Sequence, residues 1–271
     1  MKIYRMKHKF YESKYDKILK LPNYQIIQNH SGKRPYLYNL DLKGKSILLP
    51  FRSNSSKIPN KYKYSTKKVE SFRKNPAIDY TSCLVIEKGE MKGNLIPAML
   101  SKPVFDLIKN NEENIEKNFI KYVNQYVYDK SIYNQSILVE NSSLKHFHKE
   151  LHLDVEIQEI RKQIFINELE SNVETPLFKR LARNDAKLNN LIQLKKYKQL
   201  CQNESFIDPE SDLQNPKLII RMKDKNFKSI SLNTINHLVE TNNVSKLNDY
   251  FLLSKSVKEK KVVKSIRDLE I

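Results

Sequence analysis

The sequence predicts an α+β fold: an antiparallel sheet followed by helices, with a second, mostly helical module after it. Three observations carry this expectation. Short apolar–polar alternations joined by tight turns fill the first hundred positions, as in Tyr36–Leu42. From Pro103 the apolar period lengthens to that of a helix. Charge then changes along the chain. Residues 1–150 hold 28 basic and 14 acidic side chains, and residues 151–271 hold the remaining 21 and 17. A chain of 271 residues suits one large domain or two ordinary ones, and the expected division is 1–154 and 155–271.

Lys2–Met6 alternates and reads as the first strand. Tyr11–Leu21 is helical in period, with Tyr11, Tyr15, Ile18 and Leu19 along one side. Residues 23–34 are polar and read as a loop, and Pro35 forces extended geometry on Arg34. Tyr36–Leu42 is a strand with Tyr36, Tyr38, Leu40 and Leu42 on one face. Lys43-Gly44-Lys45 turns it back into a return strand, Ser46–Phe51. Residues 57–76 read as a basic loop, after which Ala77–Tyr80 leads into a strand over Ser82–Glu87. A turn at Lys88–Gly93 and a strand at Asn94–Leu100 complete the sheet, antiparallel because its connections are short.

Phe105, Ile108, Ile115, Phe119, Ile120, Val123 and Val127 describe one long helix ending near Lys130. Ser143–Leu153 reads as a short helix with Ser143 as its N-cap. In the second module, residues 155–169 are helical, and Thr175-Pro176 opens a helix running to Cys201. Residues 208–212 form a loop, Leu218–Met222 a strand, and 231–270 mainly helix with Ser245 as a cap.

Composition narrows the function. The chain carries a net charge of +18, most of it in the first half, so a polyanion is the expected partner there. Cys83 and Cys201 stand alone, which points to a reducing cytoplasm rather than a disulfide framework. No apolar stretch approaches the roughly 20 residues of a membrane helix, and the first ten residues lack the apolar core of a signal peptide. The four glycines are not spaced as in a phosphate-binding loop, so no nucleotide or other cofactor is expected.

The most informative stretch is Ile47–Lys57. An apolar run meets Pro50 and Phe51 and then turns polar: Arg52, Ser53, Asn54, Ser55, Ser56, Lys57. Arginine supplies a planar fork of donors suited to phosphate, hydroxyls donate or accept, and lysine adds a point charge. A solvated loop after a strand is the plainer explanation of the same residues. Further on, Lys61, Lys63, Lys67 and Lys68 interleave with Tyr62, Tyr64 and Phe72, a mixture that suits single-stranded nucleic acid and equally an exposed loop of a lysine-rich protein.

Metal chemistry is not expected. His148 and His152 lie four apart, but the intervening order, HKELH, misplaces the glutamate of H-E-x-x-H, and Asp79 stands isolated. The metal-free route on RNA is attack by the neighbouring 2′-hydroxyl, for which Arg52, Ser53, Lys57, Lys33 and Tyr36 or Tyr11 are candidates. His30, beside Lys33 and Arg34, is a possible proton shuttle, although a lone loop histidine more often has no such role.

Four segments in this order carry a resemblance: Lys33-Arg34-Pro35-Tyr36, Leu49–Asn54, Ile78-Asp79-Tyr80-Thr81 and Leu144–Leu151. Together they resemble toxins of type III toxin–antitoxin systems, the TenpN/ToxN/AbiQ-like endoribonucleases, over about residues 1–153. The resemblance implies a compact, twisted antiparallel sheet of Kid/MazF type with flanking helices. It implies metal-independent cleavage of A-rich RNA to 2′,3′-cyclic phosphate ends. It also implies inhibition by a small RNA cut from a tandem-repeat transcript, a closed RNA–protein assembly, and a role in phage defence by abortive infection. Arg52, Ser53 and Asn54 match the TenpN-like motif directly. In the ToxN-like motif Ser55 stands where a lysine is expected, and Lys57 is the nearest lysine. Lys33 and Arg34 match the basic pair, and Tyr11 lies near the N-terminal tyrosine. Tyr11, Arg34, Asn54, Lys61, Lys63, Tyr64, Lys67 and Lys68 are the expected RNA contacts. The competing expectation is a non-catalytic RNA-binding regulator on the same scaffold.

Overall fold

The computed structural model describes residues 2–22, 26–170, 175–201, 204–222, 225–243 and 245–247. Strand β1 (Lys2–Met6) buries Ile3 and Met6. Helix α1 (His8–Leu19) starts three residues before the expected helix and buries Tyr11 and Tyr15. Strands β2 (Pro35–Leu42) and β3 (Lys45–Arg52) form the predicted hairpin. Its turn residues, Lys43 and Gly44, take left-handed backbone with φ of 51° and 79°, the geometry that matches strand twist. The pairing is irregular between Tyr38 and Leu40, which breaks the expected single face. Tyr36, Leu37 and Leu40 are buried, whereas Tyr38 is only partly covered.

In β3 the run Ser46–Phe51 is buried without alternation, as a central strand covered on both faces requires. Strand β4 (Lys63–Ser65), β5 (Ala77–Asp79), β6 (Leu84–Ile86) and β7 (Leu95–Pro97) complete a seven-stranded sheet. Its order is β4-β5-β3-β2-β1-β7, with β6 also beside β3, and every strand pair is antiparallel. Pro50 stands where β3 changes partner, from β6 at Ser46–Leu48 to β5 at Phe51–Arg52. Proline has no N–H to give to a ladder, which suits that break. Two expectations need correction here. Residues 57–76 are not one loop, since they contain a 3₁₀ turn (Asn60–Tyr62) and β4. Ala77–Asp79 is itself a strand rather than a lead-in.

Helix α2 (Lys88–Met91), opened by a Glu87–Glu90 capping box, occupies most of the expected turn before β7. The long helix is two helices, α3 (Lys102–Lys109) and α4 (Glu112–Ser131), interrupted at Asn110-Asn111. Phe105, expected on the apolar face, is 39 % exposed, while Ile108, Ile115 and Phe119 are fully buried. Helix α5 (Ile137–Asn141) comes next. Over 143–152 the expected helix is a 3₁₀ turn (Ser143–His146) followed by further turns, and Ser142 rather than Ser143 caps it. Aromatic rings fill this core. Tyr15, Tyr36, Tyr80, Phe119, Tyr122 and Tyr126 are fully buried. Phe119 and Tyr122 stack at 6.0 Å, and Tyr80 meets Phe119 edge-on at 5.9 Å.

The chain divides into two compact units after Ile157, three residues beyond the expected boundary and inside helix α6 (Leu153–Glu170). In the second unit Thr175 caps α7 (Pro176–Asn184), its Oγ1 accepting from Phe178 N at 3.0 Å. That helix stops at Asp185, whose carboxylate caps a 3₁₀ turn before α8 (Asn189–Leu200), so the expected single helix is two. Strands β8 (Ser205–Ile207), β9 (Lys217–Arg221) and β10 (Phe227–Ser231) form an antiparallel sheet, followed by α9 (Leu232–Glu240). The unit is therefore α+β, with a sheet of which only β9 was expected. Asn243 Oδ1 accepts from Lys246 N at 3.2 Å and takes the cap position expected of Ser245. The expected helix over 248–270 lies outside the described residues. Among the described residues no helix is long and apolar enough to cross a membrane.

Candidate functional site

The end of β3 and the turns before β2 enclose a cleft of about 420 Å³. Ile26 and Ile27 give it apolar wall, and Gln28, His30, Arg34, Arg52, Ser53 and Asn54 give it polar wall. Five of these six polar residues carry hydrogen-bond donors on charged, hydroxyl or amide groups suited to an anion, and imidazole is the sixth.

Arg52 is held by a buried carboxylate. Its Nε donates to Asp79 Oδ2 at 2.5 Å and its Nη2 to Ser82 Oγ at 2.9 Å. Asp79 is fully buried, and its other oxygen accepts from Thr81 N (2.8 Å) and Thr81 Oγ1 (2.6 Å). The pairing Phe51↔Ile78 and Arg52↔Ala77 between β3 and β5 brings these residues together. Asp79 is thus not isolated, as expected from the sequence, but the anchor of the principal cation. Arg52 remains 30 % exposed, and its Nη1 has no partner among the described residues.

Arg34 is fixed by backbone. Its Nε donates to Gln28 O and its Nη1 to Phe51 O, both at 2.6 Å. Burial holds this guanidinium below its ordinary value, and the charge of Arg52 pushes in the same direction, while Tyr36, Tyr11 and Asp79 oppose the shift. Two cations that disfavour each other across a cleft are relieved by an anion between them.

Ser53 is exposed, and its hydroxyl has no partner among the described residues. Asn54 also reaches the cleft, but its Oδ1 accepts from Ser56 N (3.1 Å) and Ser56 Oγ (2.6 Å) and so builds the next turn. Ser55, at the place of the expected lysine, is buried and donates its hydroxyl to Asn75 O at 2.8 Å. Lys57 is exposed in the turn closed by Ile58 N and Ser55 O and is not among the cleft residues. Lys33 is likewise exposed, in the turn beside the cleft, without lining it.

Both candidate tyrosines are corrected to framework residues. Tyr36 is fully buried, and its hydroxyl donates to Asn29 Oδ1 at 3.3 Å. Burial raises its phenol far above the ordinary value, so it is a poor proton carrier. Tyr11 is 3 % exposed and donates to Ile27 O at 2.8 Å. The two rings support the segment 26–30 from beneath rather than touching a ligand.

Several of the expected RNA-binding lysines are engaged with the fold. Lys63 Nζ donates to Ser55 O at 2.8 Å, and burial lowers its pKa, with Asp79 acting against that shift. Lys67 Nζ donates to Ser71 O (2.9 Å) and Arg73 O (2.5 Å), closing its own loop. Lys61 is exposed and lies over the Tyr62 ring at 4.9 Å. Lys68 is exposed, and Tyr64 is half-buried with its phenol raised by burial.

The histidines near the end of the first unit do not share a helix face. His148 joins Tyr126 Oη (Nε2, 2.8 Å) to Asp154 Oδ1 (Nδ1, 2.6 Å), whereas His152 is exposed in left-handed backbone. His146 Nε2 is buried without a hydrogen-bond partner, and burial lowers its pKa. No group of three or more His, Cys, Asp or Glu among the described residues is placed to hold a metal ion.

Sequence reasoning missed the roles of Asp79 and Ser82 and gave His30 little weight. The signals available were a carboxylate inside an apolar strand, IDY, and a histidine next to the basic pair. Comparisons with protein-family models, curated proteins and solved structures find no match to this chain.

Proposed function

We propose that the first unit is an endoribonuclease that cleaves A-rich RNA without a metal ion, leaving 2′,3′-cyclic phosphate ends. The observation that supports it is the cleft shared by Arg34, Arg52 and Ser53, with Arg52 oriented by buried Asp79. In this reading the scissile phosphate sits between the two guanidinium groups. They neutralise the charge that develops on its oxygens as the 2′-hydroxyl attacks. Ser53 Oγ donates to a phosphoryl or sugar oxygen, and Asn54 offers its amide N–H groups alongside. Arginine is suited to this work because its planar fork makes two directed bonds to one phosphate.

The resemblance extends the proposal to a toxin of a type III toxin–antitoxin system acting in the cytoplasm during phage defence. A repeat-derived small RNA would inhibit it in a closed RNA–protein assembly, and the sheet would carry the Kid/MazF-like twist. The second unit would then be an addition to that toxin scaffold.

The test is incubation of purified protein with A-rich RNA in EDTA, with product ends mapped and Ser53→Ala alongside. Cleavage by the wild type, cyclic phosphate ends, and loss of cleavage with retained RNA binding in Ser53→Ala are the expected results. A folded wild-type protein that binds RNA and does not cut it would favour the RNA-binding regulator instead.

A further inference from the structure

The cleft holds two guanidinium groups, a serine and two amides, and none of these is an effective proton acceptor at neutral pH. Imidazole is the side chain suited to that task, and among the described residues lining the cleft only His30 has one. From this placement we infer that His30 is a catalytic residue, the general base of the proposed cleavage; the inference rests on that functional reading.

The way the chain presents His30 supports the assignment. His30, Ser31 and Gly32 are three consecutive residues in left-handed backbone, with φ of 46°, 54° and 84°. Only the glycine adopts that conformation without cost. The surroundings hold it in place. Arg34 N and Gly32 N both donate to Asn29 O (3.3 and 3.1 Å), and Lys33 N donates to His30 O (3.1 Å). Asn29 is buried, gives its Nδ2 to Met6 O at 2.9 Å and accepts from Tyr36. A Cβ at Gly32 would lie 3.3 Å from Met6 O, so a larger residue would crowd β1. Strained backbone retained by a rigid frame is a feature of functional sites. The frame leaves the imidazole exposed, with no hydrogen bond to any described residue.

The step balances without a co-reactant. The imidazole of His30 takes the proton of the 2′-hydroxyl as the 2′-oxygen bonds to phosphorus. The P–O5′ bond breaks, the 5′-oxygen takes a proton from water, and the imidazolium returns its proton to solvent. Arg34 and Arg52 are the charged groups that share the cleft with His30, and Lys33 is the exposed cation of its own turn.

The test is single-turnover cleavage of A-rich RNA in EDTA by wild type, His30→Asn and His30→Gly, across a pH series. Asparagine tolerates the left-handed turn without carrying a proton, and glycine both tolerates it and leaves space for added imidazole. Loss of about 10²- to 10⁴-fold in kcat with little change in KM is the expected result for both variants. The rate of the wild type should also rise with pH through an acid limb that both variants lack, and free imidazole should restore part of the His30→Gly activity. A variant with wild-type kcat would overturn the assignment. So would a rise in KM alone, which marks a nucleobase or phosphate contact, or a lower kcat with an unchanged pH profile and no rescue. Failure of the wild type itself to cut RNA would overturn the functional reading, and the role of His30 with it.

Discussion

The arginine cleft and the lysine-rich segment that follows it are similar in composition and different in construction. In the cleft, Arg52 is fixed by buried Asp79 and by Ser82, and Arg34 by two backbone carbonyls. Their positions are set before any ligand arrives. In the segment 57–74, Lys63 and Lys67 are engaged with backbone carbonyls, while Lys57, Lys61 and Lys68 stand in solvent. An exposed lysine attracts a polyanion from a distance but does not choose where on it to act. In the proposed reading, excess charge draws in the class of partner, whereas the cation tethered to a buried carboxylate is placed for chemistry.

The largest effect that sharpens this contrast is expected from Asp79→Ala. The change removes the acceptor of three hydrogen bonds and leaves Arg52 partly unpaired. Urea unfolding should show a loss of about 2–4 kcal/mol, below the full cost of breaking a fully buried pair because Arg52 is partly solvated. Cleavage should vanish even at temperatures where the variant is folded. Arg52→Lys comes next. It retains the charge and gives up the bridge between Asp79 and Ser82, so the cleavage rate should fall about 10²-fold while RNA affinity changes little. Wild-type cleavage by this variant would show that charge alone suffices and would erase the distinction between the two regions.

Smaller effects separate the frame from the surface. Tyr11→Phe leaves Ile27 O without its buried donor and should cost about 1 kcal/mol in stability, with cleavage close to wild type. Lys68→Ala should change stability by less than about 0.5 kcal/mol. It should lower the slope of log affinity against log salt by about 0.7, the share of one phosphate contact on a single strand. An unchanged slope would remove Lys68 from the RNA-facing surface.

The sequence made the local parts legible and concealed those assembled at a distance. The β2–β3 hairpin was readable because its signals lie together: alternation in Tyr36–Leu42, then Lys43-Gly44 in a turn that both residues adopt. Thr175 and Pro176 announced α7 for the same reason. The strands β4, β5 and β8 have three residues each, too few to establish a period. The merged helix failed at Asn110-Asn111, since an apolar pattern resumes on both sides of the break. In the site, Arg52, Ser53, Asn54 and Arg34 were legible from residue type beside a strand end. Asp79 was not, because its partner is 27 residues away and meets it only through the β3–β5 pairing. Tyr36 and Tyr11 are expected at a ligand from residue type and from the resemblance, and neither of these reveals that a ring is buried. Their burial makes them supports of the segment that carries His30.

The most direct measurement is the single-turnover cleavage rate in EDTA at saturating A-rich RNA. It should compare Arg52→Lys with a variant carrying Lys57→Ala, Lys61→Ala and Lys68→Ala together. The expected result is a collapsed rate in Arg52→Lys with affinity retained, and a near wild-type saturated rate in the lysine variant with weakened affinity. The reverse result, an active Arg52→Lys and a lysine variant that cannot cut at saturation, would move the chemistry out of the cleft.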